Sequence, residues 1–406
     1  MKKVLSYALT ALIGVSMAGC KDTKQTGGDV EETTQKEQTL KKVMNPYIHH
    51  AVIPVYEGMA DAAILLADDM ARILEASKAD PASEDSMLIH EACGHWTASR
   101  LYWERSEAWL YGPADFEGID PHIDSWPFDK TGFDAVIADA SEMAKYEEAL
   151  LNNTTLDEEE YGLLGFHAIE YVLFESGKAH KINDFTTSQW TFMNVVANDL
   201  RNQAILLEAC WRGQGNVTVA KQNLLKTSGL APAASRYSAN GFGGYMTETG
   251  EGRTFATYEA AAAQLIEGCI DIANEVGNIK IGTACFASAD NDADRNYIES
   301  PYSLHSIKDF TDNIVSIDYA CFGAQKDDAS LIADYIRQVD GKAADNLRTA
   351  IDNSYAAIRA IPEPFYENAQ TPEAQKAVEV VGTDLVNALQ AVYKALTGVE
   401  YEMEEE

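Results

Sequence analysis

None of the six cysteines in this 406-residue sequence stands in a CxxC pair, which argues against a structural zinc or iron–sulfur centre of familiar spacing. There is no G-x-S-x-G elbow and no α/β pattern to hold one, so the common serine-hydrolase arrangement has no support. The string His90-Glu91-Ala92-Cys93-Gly94-His95 misses HExxH by one residue. A five-residue separation sets the second ring roughly 140° around a helix from the first, so the two would not converge on one ion. Basic charge is also scarce: 31 Lys and Arg against 64 Asp and Glu give a formal net charge of −33. Such a field repels nucleic acid and anionic membrane surfaces and leaves cationic ligands open, although most of these carboxylates are expected to form a solvated surface.

Long apolar runs are confined to the start of the chain. Lys2 and Lys3 precede an apolar run from Val4 to Ile13, and small residues lead to Met17-Ala18-Gly19-Cys20. This reads as a secretory leader ending in a lipobox, with Cys20 as the lipidated residue, so the chain is expected to be held to a membrane by lipid alone. The Thr-, Lys-, Gln- and Glu-rich stretch that follows has little to bury and is expected to be a flexible tether. No later segment is apolar enough, uninterrupted, to cross a bilayer. Cysteines 93, 210, 269, 285 and 321 remain, an odd number for disulfides, with Cys269 and Cys285 nearest in sequence.

The periodic segments are helical, and no convincing alternating pattern predicts a sheet. Met59, Ala63, Leu66, Met70 and Ile73 mark the buried stripe of a helix over 54–76. Further helices are expected over 86–111, 133–151, 156–176 and 188–212, the fourth opened by a Thr155-x-x-Glu158 capping box and closed by Gly177. Periodicity fades between Gly213 and Arg253, the expected domain junction. Beyond it helices are expected over 255–276, 306–322, 327–339, 343–361 and 372–396. The organisation is therefore a leader (1–19), a tether (20–40), an N-terminal helical bundle (41–215), an irregular connection (216–253), a C-terminal bundle (254–398) and an acidic tail (399–406).

One string carries candidate chemistry. In Gly165-Phe166-His167-Ala168-Ile169-Glu170, His167 and Glu170 lie one helical turn apart and can share a metal ion or a proton. On spacing alone the signal is weak, and a hydrogen-bonded pair inside a bundle is the better explanation of the string.

Other segments accompany it: Trp103-Glu104-Arg105-Ser106-Glu107-Ala108-Trp109 with Gly112-Pro113, Glu299-Ser300-Pro301-Tyr302-Ser303 leading to Asp309, Ile361-Pro362-Glu363-Pro364-Phe365, and Val52-Ile53-Pro54-Val55-Tyr56. With the GxHxxE string, in this order, they resemble the imelysin-like family (peptidase M75) over about residues 43–397. That family takes its name from an insulin-degrading membrane peptidase and includes relatives tied to iron regulation and periplasmic iron uptake. The resemblance implies an all-α fold of two helical-bundle domains packed against each other, with a site between them. His167 and Glu170 would then be metal ligands, Trp103 and Glu107 would lie nearby, and Ser303 would reach in from the second half.

A zinc peptidase needs about three protein ligands and an open position for water. His90, His95, His122 and His305 are the candidates for a third ligand, and nothing in the sequence selects among them. The expectation is therefore an envelope lipoprotein, facing the periplasm or the cell surface, that binds iron, zinc or another ligand around His167 and Glu170. Other envelope iron-uptake components are its expected partners. The alternatives are a metallopeptidase using His167 and Glu170 on zinc, and a surface interaction protein without metal. Imidazole and carboxylate donors suit hard or borderline cations.

Overall fold

The structure, a computed structural model, describes residues 27–402. The expected leader, Cys20 and the end of the acidic tail lie outside them. Among the described residues the regular secondary structure is helical apart from one two-stranded hairpin, β1 (Phe174–Glu175) and β2 (Lys178–Ala179).

Two helices open the described region, α1 (Gly27–Pro46) and α2 (Ile53–Ala79), and a widened π-type turn, Tyr47–Val52, joins them between Pro46 and Pro54. A proline lacks the amide hydrogen for the regular ladder, and widening the turn accommodates that loss. The stripe expected on α2 is observed: Met59, Ala63, Leu66, Met70 and Ile73 are fully buried. From Gly27 onward the stretch expected to be a tether is helical, in α1. Leu40, Val43 and Met44 are buried, Lys36 donates to the Leu396 carbonyl at 2.5 Å, and Glu37 accepts the Tyr258 and Glu259 amides at 2.8 and 3.1 Å. The missed signal was this anchoring role, since Glu37 caps free N–H groups at the start of a distant helix. The continuous helix Thr34–Ala79 is long and apolar enough by composition to cross a membrane, yet most of its apolar stretch is buried in the protein.

The helix α3 (Met87–Glu104) ends seven residues before the expected Tyr111 and gives way to a single 3₁₀ turn, Glu107–Trp109. The helix expected over 133–151 is two, Lys130–Ala138 and Ala140–Leu151, because the Asp139 carboxylate caps the second by accepting the Ser141 amide. The long fourth helix is also broken. Asp157 and Glu160 exchange the capping bonds of a single turn, and the chain restarts as α5 (Gly165–Leu173) after the short α4 (Ile119–Asp124) has packed beneath it. Gly177 lies in the β1–β2 turn rather than at a helix end. The helix α6 (Thr187–Arg212) has a true capping box, Thr186 with Gln189. The connection expected to be irregular holds two helices, Val219–Ser228 and Gly241–Thr247.

In the second half, α7 (Tyr258–Asn274) runs into another π-type turn, Glu275–Ile281. The remaining long helices are α8 (Ser306–Phe322), α9 (Gly341–Ala360) and α10 (Val386–Thr397). α2 packs on α3 and α6, α8 packs on α7 and α9, and α3 meets α8. The buried apolar side chains form one continuous cluster from Leu40 to Leu396. All five described cysteines are buried free thiols.

Candidate functional site

Where α3 meets α8, the core is charged. Arg100, Glu104, Glu107, Asp124, His167, Glu170, Lys280, Glu299 and Asp309 are each no more than 7 % exposed. Burying charge is costly unless it is paired, so their arrangement decides what the cluster can do.

Gly165 explains how His167 arrives there. Its φ is +63°, and a Cβ at this position would lie 2.2 Å from the Ile123 carbonyl oxygen. Only glycine allows this approach, which brings the start of α5 against the end of α4. The His167 Nε2 atom then lies 3.1 Å from Asp124 Oδ1, off the line of a hydrogen bond, and its Nδ1 faces Glu170 Oε2 at 3.5 Å. The other oxygen of Glu170 is saturated. It accepts the Tyr302 amide at 2.9 Å, the Ser303 amide at 2.8 Å and the Ser303 hydroxyl at 2.8 Å. The motif glutamate therefore ties the first half of the chain to the 299–305 loop. That loop is strained, with positive φ at Ser300 and Leu304, and Gly177 at the hairpin tip holds it further by donating to the Tyr302 carbonyl at 2.8 Å.

Arg100 runs through the middle of the cluster. Its guanidinium donates to Asp124 and, at 2.7 Å, to Glu299 Oε1, and it lies 2.6 Å from Glu104 Oε1. Trp103 Nε1 donates to Asp124 Oδ2 at 2.6 Å, and Asn313 Nδ2 donates to Glu104 Oε2 at 2.6 Å. Lys280 leaves the π-type turn after α7, where a Cβ on Gly277 would lie 2.2 Å from the Gly382 amide nitrogen. That close approach seats its ammonium 3.0 Å from Glu299 Oε1 and 3.9 Å from Glu107 Oε2. At the edge, His305 Nδ1 meets Asp309 Oδ1 at 2.7 Å.

Six carboxyl groups thus face two permanent cations, and the protons follow. Burial, with Glu299 and Asp309 adding to it, outweighs Arg100 and Lys280 and pushes Glu104 well above the usual carboxylate range. Burial likewise raises Glu107 against the pull of Lys280. Burial opposes the charge on Asp124, but Arg100 and His167 hold its carboxyl below the usual range. For His167, burial favours the neutral ring, yet Asp124 and Glu170 win and push it up to about 9. Several buried polar atoms remain without a hydrogen bond: the Arg100 Nε donor, His167 Nε2, and the acceptor oxygens Glu170 Oε2, Glu299 Oε2, Asp309 Oδ2 and Glu104 Oε1, the last ion-paired to Arg100 at 2.6 Å. An orphaned buried acceptor costs about 1–3 kcal/mol, and more when charged. Two sets of donors, Asp124/His167/Glu299 and Glu104/Glu107/Asp124, bring their atoms within 4.8 Å of one another. The residues present therefore fit a metal cation.

All five site residues expected from the sequence within the described region, Trp103, Glu107, His167, Glu170 and Ser303, belong to this one network. Trp103 and Glu107 do not share a helical face, because α3 ends between them. None of the four candidate histidines completes a His-rich set. His90 is exposed, His95 pairs with Asp69 at 2.6 Å, His122 with Asp199 at 2.7 Å, and His305 with Asp309. The groups that converge on His167 are carboxyls, Asp124 and Glu299, and Glu170, expected as its fellow ligand, belongs to neither set. Sequence reasoning missed Arg100, Asp124 and Lys280 altogether. A signal existed for Arg100, which continues the buried stripe of Ile89, Cys93 and Trp96 where an apolar residue would be expected.

Comparison with known proteins agrees with this architecture. The family profile described as Imelysin matches residues 53–393. Iron-regulated protein A of Synechococcus elongatus is 25 % identical over 335 residues, covering 82 % of this chain and 79 % of that protein. A crystal structure named for an iron-regulated protein A precursor from Parabacteroides distasonis superposes with a TM-score of 0.74 at 24 % identity, covering 94 % of this chain and 97 % of the other. An imelysin-like protein from Psychrobacter arcticum gives 0.59 at 15 % identity, covering 90 % and 98 %. These two likenesses speak to the fold, which is all-α and imelysin-like. With the match spanning most of its length, the chain belongs to the imelysin family.

Proposed function

We propose that this protein binds a hard or borderline metal cation, with iron the leading candidate, at the buried cluster between α3, α5 and α8. His167 Nε2, Asp124 and Glu299 would hold the ion. Glu170 would orient His167 from its other nitrogen, the carboxylate–histidine arrangement common behind metal ligands. The observation that carries this reading is the convergence of Asp124, His167 and Glu299, whose ligand atoms come within 4.8 Å of one another, with His167 Nε2 and Glu299 Oε2 buried without a hydrogen bond. A bound cation would satisfy those two atoms by taking the place of the proton that Asp124 and Glu170 favour on His167, and the mixed imidazole and oxygen set suits iron, manganese or zinc. The name of the Synechococcus relative links that protein to iron.

Binding is favoured over peptide hydrolysis because His167 and Glu170 are 1 % and 0 % exposed, and the two hollows described, near Gln222 and near Phe242, lie away from them. One observation favours a different reading. Glu170 already makes three hydrogen bonds through one oxygen, as a residue that only braces the fold would.

Elemental analysis after equilibration with iron and zinc salts separates the two readings. The cation reading predicts stoichiometric metal in the parent and none in a still-folded His167→Ala/Asp124→Asn protein. Absence of metal from both leaves the bracing role. We also place the protein in the cell envelope, lipidated at Cys20 with the body outside the cytoplasm, where it can meet iron-uptake components. Cys20→Ala should then move it from the membrane to the soluble fraction, and an unchanged distribution would rule out the anchor.

A further inference from the structure

The three groups that converge at the cation site are sealed from solvent. His167 Nε2 and Glu299 Oε2 are buried atoms, and Asp124, His167 and Glu299 belong to the core. An ion reaches them only when packed side chains part, and the walls differ in how easily they could do so. Trp103, which donates to Asp124, and Phe166, which lies under the Arg100 guanidinium, are fully buried. Trp126 and Tyr297 are only partly buried. Trp126 follows Asp124 by two residues just beyond α4, and Tyr297 precedes Glu299 by two. Their rings pack on each other across the two halves of the chain, with centroids 4.5 Å apart and planes tilted by 52°. Lys280 Nζ lies 5.8 Å from the centre of the Trp126 ring and 3.0 Å from Glu299 Oε1, so the pair borders the charged cluster itself. Both rings stand on segments without regular secondary structure, where local opening costs least.

We propose that Trp126 and Tyr297 form an aromatic latch over the cation site, parting to admit an ion and closing once it is held. The inference rests on the cation-binding reading above. Each ring is joined to one carboxylate ligand by two residues of chain, a reach of at most about 7 Å. An ion that bridges Asp124 and Glu299 therefore draws the two ring-bearing segments together and favours the closed pair. The latch governs how fast an ion enters and leaves, as closing segments do over other buried sites. Which ions fit is left to the imidazole and carboxylate donors behind it.

Stopped-flow mixing of the full chain with cobalt(II) alone, followed by quenching of tryptophan fluorescence, tests this in the parent, Trp126→Ala, Tyr297→Ala and Trp126→Phe. Trp103 remains beside Asp124 as a reporter in every variant. Excess EDTA then gives the release rate, equilibrium dialysis the stoichiometry, and circular dichroism the folded state. If one alanine variant fails to fold, the other, on the opposing segment, carries the test. Uptake and release should both be faster by about tenfold in the alanine variants, the scale of one lost aromatic pair. One cobalt should still bind, the affinity should change far less than either rate, and Trp126→Phe, which keeps a ring, should stay close to the parent. Unchanged rates, or faster release without faster uptake, would mean that the pair only braces the fold, and would overturn the latch with the site left standing. No cobalt bound by the parent overturns the cation reading and this inference with it.

Discussion

The molecule buries two ionic clusters, and they are finished to different degrees. In the first half, Glu208 is fully buried and both its oxygens are used, Oε1 by Arg212 at 2.8 Å and Oε2 by Lys221 at 2.6 Å. The same cations reach Glu57 and Asp61 nearer the solvent, and no Glu208, Arg212 or Lys221 atom is among the buried orphans. Around Arg100, by contrast, six carboxyl groups share two permanent cations, and buried atoms of Arg100, His167, Glu170 and Glu299 among others lack a hydrogen bond. A structural ion cluster is expected to satisfy every member, because a half-satisfied one is worse than an apolar core. The Glu208 cluster meets that expectation. The Arg100 cluster departs from it, and the proposed cation would satisfy two of its open atoms, His167 Nε2 and Glu299 Oε2.

The sharpest way to break the comparison is to unfinish the closed cluster. Lys221→Met leaves Glu208 with one partner fewer in the core and should lower unfolding free energy by about 3–5 kcal/mol in denaturant titrations, with bound metal per folded molecule unchanged. Gly165→Ala comes next. A methyl group 2.2 Å from the Ile123 carbonyl, at a φ of +63°, should cost about 3 kcal/mol or more and weaken metal binding by displacing His167. Titration of the metal-free protein sharpens the comparison through charge. His167 is raised from 6.5 to about 9, so its proton stabilises the fold fully below pH 6.5, and that contribution is lost as pH rises through 9. Stability should fall by about 2 kcal/mol over that window, and His167→Gln should flatten the profile. The raised Glu104 and Glu107 act in the same direction. The smallest effect is expected from Ser303→Ala, which removes one of three bonds to Glu170 Oε1. It should cost about 1 kcal/mol with metal still bound.

These residues also show how far the sequence could be read. Helical stripes such as Met59 to Ile73 were legible because burial imposes a period on the chain. Helix breaks were not, because Asp139 and Asp157 terminate or restart helices through side-chain bonds that compete with continuation. The tether was misjudged because Lys36 and Glu37 look solvated until the helix ends they cap, some 220 to 360 residues away, are brought beside them. At the site, the one-turn spacing of His167 and Glu170 was visible, whereas their division of labour was not. The atoms that decide it, Asp124, Glu299 and the Tyr302–Ser303 amides, arrive from other segments. Lys280 carried no local signal, since a single lysine between Ile279 and Ile281 gives no sign that a π-type turn will bury it.

Anomalous scattering at the iron edge from crystals soaked in iron salt tests most directly whether the unfinished cluster holds a cation. A cation site gives one strong peak bounded by His167, Asp124 and Glu299, missing in crystals of His167→Ala/Asp124→Asn. Iron peaks confined to surface carboxylates, with the cluster empty, would contradict it.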